Sequence, residues 1–141
     1  MMIYTNNWLA ILVAVIANFV VGWLWYGMVF KNLWVSLSGH GSMSMDEMKS
    51  KGATATRGYI VTIILGLITP FVFFSLAQSL LVSAVGGALM LVFWIWLGFQ
   101  VPITVGSVLW DAKPWGLFFL NAANQLVSLV VTALIYAWMV V

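Results

Sequence analysis

Residues 58–110 read GYIVTIILGLITPFVFFSLAQSLLVSAVGGALMLVFWIWLGFQVPITVGSVLW, without a single Asp, Glu, Lys, Arg or His. As one helix, about 53 residues would extend on the order of 80 Å, against roughly 30 Å for the hydrocarbon core of a bilayer. The run therefore crosses twice and reverses in between. Gln78, Ser79, Ser83, Gly86 and Gly87 interrupt its apolar pattern and place the reversal between residues 78 and 87. Two further uncharged runs flank it. Trp8 to Phe30 is long enough for one crossing, and Trp115 to Val141 for another. The sequence thus predicts an all-α, polytopic integral membrane protein: a single four-helix domain over 1–141, with helices near 8–30, 59–77, 83–105 and 115–141 and a loop at 31–57.

Composition agrees with this frame. Five Lys/Arg and three Asp/Glu among 141 residues, with 65% apolar side chains, leave too little polar surface for a soluble domain, in which roughly a quarter of residues are charged. The pI near 9.2 rests on an excess of two positive charges. No dense Lys/Arg patch is present, so nucleic acid is excluded as a partner. Without cysteine there is no disulfide framework and no thiolate site.

Orientation follows from the basic residues, which collect on the untranslocated side. Lys31, Lys49, Lys51 and Arg57 fall between the first and second crossings, and Lys113 between the third and fourth. All five share one side, which predicts a single topology with both termini non-cytoplasmic and the 31–57 loop cytoplasmic. A multi-pass protein of the bacterial cytoplasmic membrane is expected. The first segment lacks a basic n-region and exceeds the usual signal-peptide core, so it reads as a retained helix despite Val15-Ile16-Ala17. Tyr4, Trp8, Tyr136 and Trp138 suit one interfacial belt, and Trp34, Tyr59, Trp110 and Trp115 the other. Trp94 and Trp96 fall mid-helix, where a belt does not explain them.

The 31–57 loop is too short for a catalytic domain. Ser44 and Glu47 have capping-box spacing, with Met45 and Met48 on one face of the short interfacial helix that would follow. His40, Met43, Met45 and Met48 also have the softness of copper ligands, but a cytoplasmic copper site would be expected to use cysteine, and no metal or other cofactor is expected. Trp23-Leu24-Trp25-Tyr26-Gly27 and Trp94-Ile95-Trp96-Leu97-Gly98 form an internal echo, as a duplication of helices one and two into three and four would produce.

Polar residues inside the crossings are uncharged, which argues against proton relays, carboxylate ion sites and voltage sensing. On the last helix Asn121, Asn124, Gln125, Ser128 and Thr132 share one face. Asn18 on the first helix and Gln100 on the third complete the candidate set. Two readings stand: glue between helices, worth roughly 0.6–2 kcal/mol per bond, or the polar lining of a narrow path or pocket. Pro70 and Pro102, each four residues after a glycine, are candidate hinges.

Asn7-Trp8-Leu9-Ala10, Gly22-Trp23-Leu24-Trp25-Tyr26-Gly27, Trp34 and Ser38-Gly39 resemble a bacterial membrane-protein family catalogued as domain of unknown function 1761. So do Gly98-Phe99-Gln100-Val101-Pro102, Gly106-Ser107-Val108-Leu109-Trp110, Lys113-Pro114-Trp115 and Asn121, which extends the resemblance over nearly the whole chain. Met28 stands where the family often carries proline. The resemblance implies a small polytopic protein and supplies no catalytic residue. No Ser/His/Asp or Cys/His set is present, and His40 sits between glycines, so no enzyme is expected. The functional expectation is a homo-oligomeric channel or transporter for a small neutral or weakly polar solute, held in the lipid bilayer. The alternative is a non-catalytic accessory or scaffold subunit of a larger membrane complex.

Overall fold

The computed structural model describes residues 7–38 and 52–141, which are helical apart from short turns. Four of its helical segments are long and apolar enough to cross a membrane: Trp8–Val29, Arg57–Ser79, Val85–Trp110 and Trp115–Met139. The protein is an all-α membrane protein. The capping-box and copper-ligand readings, at His40 to Met48, lie outside the described residues.

Each spanning segment has its own construction. The first is α1 (Trp8–Leu24) continued by a π-helical turn, π1 (Trp25–Val29), after which α2 (Lys31–Ser38) turns away. The second is the end of a long α3 (Gly52–Ser79), in which Pro70 sits inside an unbroken helix. The third comprises α4 (Val85–Ile95), a second π turn, π2 (Trp96–Gln100), and α5 (Val101–Trp110). The fourth is α6 (Trp115–Met139).

The reversal between α3 and α4 is tighter than the span 78–87 read from sequence, and its glycines do not make it. Leu81 turns the chain, with φ of 55°. Gly86 and Gly87 already belong to the first turn of α4. Gly87 serves the turn differently: a Cβ there would stand 3.2 Å from Cγ1 of Val82, which folds back against it. The opposite turn, between α5 and α6, likewise uses a non-glycine residue at positive φ, Ala112 at 54°.

α6 is the axis of the molecule, packing against α1, α2, α3, α4, π2 and α5, while α1 also packs on α3. The buried core draws on the first half of α1 (Ala10, Ile11, Ala14, Val15), the end of α3 (Phe73, Phe74, Ala77), the start of α4 (Ala88, Val92) and the end of α6 (Leu129, Ala133, Tyr136). Because the segments alternate in direction, all of these lie in the half of the layer nearest the N-terminal end of α1. Five are alanines, whose small side chains let the backbones approach closely. Tyr136 closes this half: its ring meets Phe73 and Phe74 edge-on, and its hydroxyl donates to the Val82 carbonyl at 3.0 Å.

The other half is opened by α3. From Arg57 to Thr69 nearly every side chain of α3 is exposed, and packing begins at Pro70. α6 is covered at this end by α2 instead, with Leu37 lying where a Cβ on Gly116 would come within 3.1 Å of it.

Candidate functional site

The polar side chains of α6 form a seam down the interior of the molecule. Asn121 accepts the Tyr26 hydroxyl at 2.7 Å, which ties π1 to the first third of α6. Three turns further on, Asn18 of α1 donates from Nδ2 to Thr132 Oγ1 at 2.9 Å. Thr132 in turn donates back to the Ser128 carbonyl at 2.9 Å, and Ser128 takes part through its backbone. On the α5 side, Thr104 Oγ1 lies 2.7 Å from the Gln100 carbonyl and 3.1 Å from Gln125 Oε1, shared between the two acceptors.

Three buried atoms of the seam have no hydrogen-bond partner among the described residues: Asn18 Oδ1, Gln100 Oε1 and Asn124 Nδ2. Leaving a buried donor or acceptor unpaired costs about 1–3 kcal/mol each. Packing glue satisfies its own polar atoms; this seam does so for Asn121 Oδ1 and Gln125 Oε1 but not for these three.

Two tryptophans, absent from the polar candidates, hold the seam's flanks. Trp25 donates from Nε1 to the Leu120 carbonyl at 3.2 Å, and Trp96 from Nε1 to the Ala122 carbonyl at 2.8 Å. Each opens a π turn, and each is the second tryptophan of its W-x-W-x-G motif. The echo in the sequence therefore marks equivalent devices: a wide turn that carries an indole N–H to a carbonyl already engaged within α6. The equivalence is local, because both indoles converge on α6, whereas a simple duplication would dock each on the second helix of its own repeat. The first tryptophans, Trp23 and Trp94, are exposed to the surroundings of the bundle. The signal for Trp96 was its mid-membrane position, unsuited to a belt; Tyr26 and Trp25 carried no such signal.

Of the candidate hinges, Pro102 stands two residues beyond the end of π2, and the wide turn, which holds Gly98, relaxes the crowding that proline imposes on the carbonyl four residues back. Pro70 is fully buried where α3 changes from exposed to packed.

Between α1, π1 and the open half of α3 lies a cavity of about 670 Å³. Asn18, Phe19, Gly22, Trp23, Tyr26, Trp34, Tyr59, Thr62 and Gly66 line it, so it touches the seam at Asn18 and Tyr26.

The family model described as a protein of unknown function (DUF1761) matches residues 9–137. The chain belongs to this family. The match spans both π turns and the whole α6 seam, so the devices described above lie within the family's domain and are not appended to it. No curated protein and no solved structure matches the chain.

Proposed function

We propose that this family member is a non-catalytic membrane protein of the bacterial cytoplasmic membrane that passes a small neutral or weakly polar solute, as an oligomer, along the amide seam of α6. The observation that carries this reading is the set of unpartnered buried amide atoms at Asn18, Gln100 and Asn124. One is a donor and two are acceptors, and none is charged, which suits an uncharged solute that both gives and takes hydrogen bonds.

Flux of glycerol and urea into proteoliposomes, followed by light scattering, tests it. Asn124→Leu removes an unpaired donor, so the fold stays as stable or gains slightly. Flux is expected to fall about tenfold, the equivalent of one hydrogen bond of about 1.4 kcal/mol. Unchanged flux in Asn124→Leu, or none in the wild type, sinks the reading.

The exposed first half of α3 favours a second reading, an accessory subunit that lays this half against a larger membrane complex. Reproducible co-purification with one larger assembly, without flux, supports that role.

A further inference from the structure

Two polar groups stand unpaired on the outside of the bundle, well inside the membrane layer. Trp94 on α4 is exposed. Its neighbour Trp96 gives an indole N–H to the Ala122 carbonyl, whereas Trp94 Nε1 has no acceptor among the described residues. Thr69 on α3 is exposed as well. Thr62, Thr104 and Thr132 each turn their hydroxyl to the carbonyl four residues back, but Thr69 Oγ1 makes no hydrogen bond among the described residues. The two depths agree. Trp94 lies nine residues past Val85, the start of α4, and Thr69 ten residues before Ser79, the end of α3, so both stand about 13–15 Å from the turn that joins these helices. In a hydrocarbon core of roughly 30 Å, neither water nor a lipid headgroup offers a partner at that depth, and an unpaired polar group is costly there.

The faces that carry these groups belong to different flanks. α3 packs on α1 and α6, and the third span, the least buried of the four, packs on α6. Met90 and Leu97 are exposed on the helical face of Trp94, and a Cβ on Gly98 meets nothing within 4 Å, which leaves room for another backbone to approach. Leu65 and Val72 are exposed on the face of Thr69. An indole N–H needs an acceptor, and a threonine hydroxyl oxygen is one. Acyl chains supply none. A second copy inserted in the same sense carries Thr69 at the depth of Trp94. We propose that copies of this chain associate head to tail in the membrane, the third spanning helix of one against α3 of the next, with Trp94 Nε1 donating to Thr69 Oγ1 across the contact. Because the two faces differ, the contact repeats from copy to copy until the rotation closes a ring. The proposal goes beyond the solute reading and concerns association alone.

The absence of cysteine makes a clean test available. Met90→Cys and Val72→Cys place thiols beside Trp94 and Thr69 and leave both polar groups in place. Two full-length chains, each with one of these cysteines, are co-expressed and oxidised with iodine in the membrane. A disulfide-linked dimer is expected from the mixture and none from either chain alone, while one chain carrying both cysteines gives a ladder of higher species. The hydrogen bond is read separately, by energy transfer between labelled chains as they are diluted with lipid in vesicles. Trp94→Phe and Thr69→Val are each expected to weaken association about three- to tenfold, and the double variant no more than either one. Thr69→Ser keeps the oxygen and restores association. Both positions are exposed, so SDS-induced unfolding of the single chain should be unchanged in all of these variants. Cross-linking of Met90→Cys alone, which a two-fold contact between third spans would give, cross-linking in no combination, or losses that add in the double variant overturn the proposal. Loss of glycerol and urea flux with cross-linking intact removes the transport reading and leaves this one standing.

Discussion

Replacing Trp25 or Trp96 with Phe keeps an aromatic ring in place but deletes the N–H that reaches α6 at Leu120 or Ala122. Both carbonyls are interior positions of α6, where the helical backbone also draws on them. Neither carbonyl is therefore orphaned by the change. Each substitution is expected to cost about 0.6–1.5 kcal/mol, the range for hydrogen bonds within membranes, read by SDS-induced unfolding in mixed micelles. Tyr26→Phe behaves differently, because it strips Asn121 Oδ1 of its donor at a half-buried site. A loss of about 1–3 kcal/mol is expected from the same titration. A smaller effect for Tyr26→Phe than for Trp25→Phe would show that Asn121 finds another donor. These residues also mark how far the site could be read in advance. The amides of α6 share a helical face that periodicity reveals, and Asn18 and Gln100 stand out as polar groups in apolar runs. Which of them pair is fixed by neighbouring helices, and the partners of Asn121 and Gln125, a tyrosine and a threonine, are residues that an interfacial belt or a helix-local bond explains equally well.

At the level of elements, gaps between charges located the crossings because a charged side chain is costly in lipid wherever it falls on a helix. Winding and turns are set by subtler balances. Neither π turn has a signature in hydrophobic period, since each exists to bring an indole to α6, and only Pro102 gives one of them a local cause. The turn after α3 falls inside the span 78–87, but its form is not legible there: glycine is the usual residue for positive φ, whereas here Leu81 adopts it and Gly87 accommodates Val82. Leu81 is 85% exposed, so its side chain contributes little packing to offset the left-handed backbone. Leu81→Gly is accordingly expected to stabilise the protein by up to about 1 kcal/mol, the backbone relief exceeding the entropy that glycine adds to the unfolded chain. Leu81→Val, branched at Cβ, should destabilise it by about 1 kcal/mol. Thermal unfolding in detergent separates the two; loss of stability in Leu81→Gly would mean that this side chain is held by something beyond the turn.

Across the whole molecule the two halves of the membrane layer are built differently. One is sealed by alanines and the Phe73–Phe74–Tyr136 cluster, and the other is opened by α3 standing clear of the bundle up to Pro70. The described basic residues, Lys31, Arg57 and Lys113, follow π1, open the second crossing and sit in the turn before α6, so the alternation of the helices places them all at the open end. The bias of Lys and Arg toward the untranslocated side predicts a cytoplasmic open end and an external sealed end. In the sequence all five Lys and Arg fall between the first and second or the third and fourth crossings, which predicts one orientation and no dual insertion. Cysteine scanning tests this without background. Thr5→Cys is expected to react with a membrane-impermeant maleimide in intact spheroplasts, and Lys113→Cys only after the membrane is inverted. Removing Lys113 leaves Lys31, Lys49, Lys51 and Arg57 between the first and second crossings in the sequence, so the substitution itself should not turn the protein over. Labelling of both thiols from both sides would mean that the chain inserts in two orientations, and the groove beside α1 would then open to either compartment.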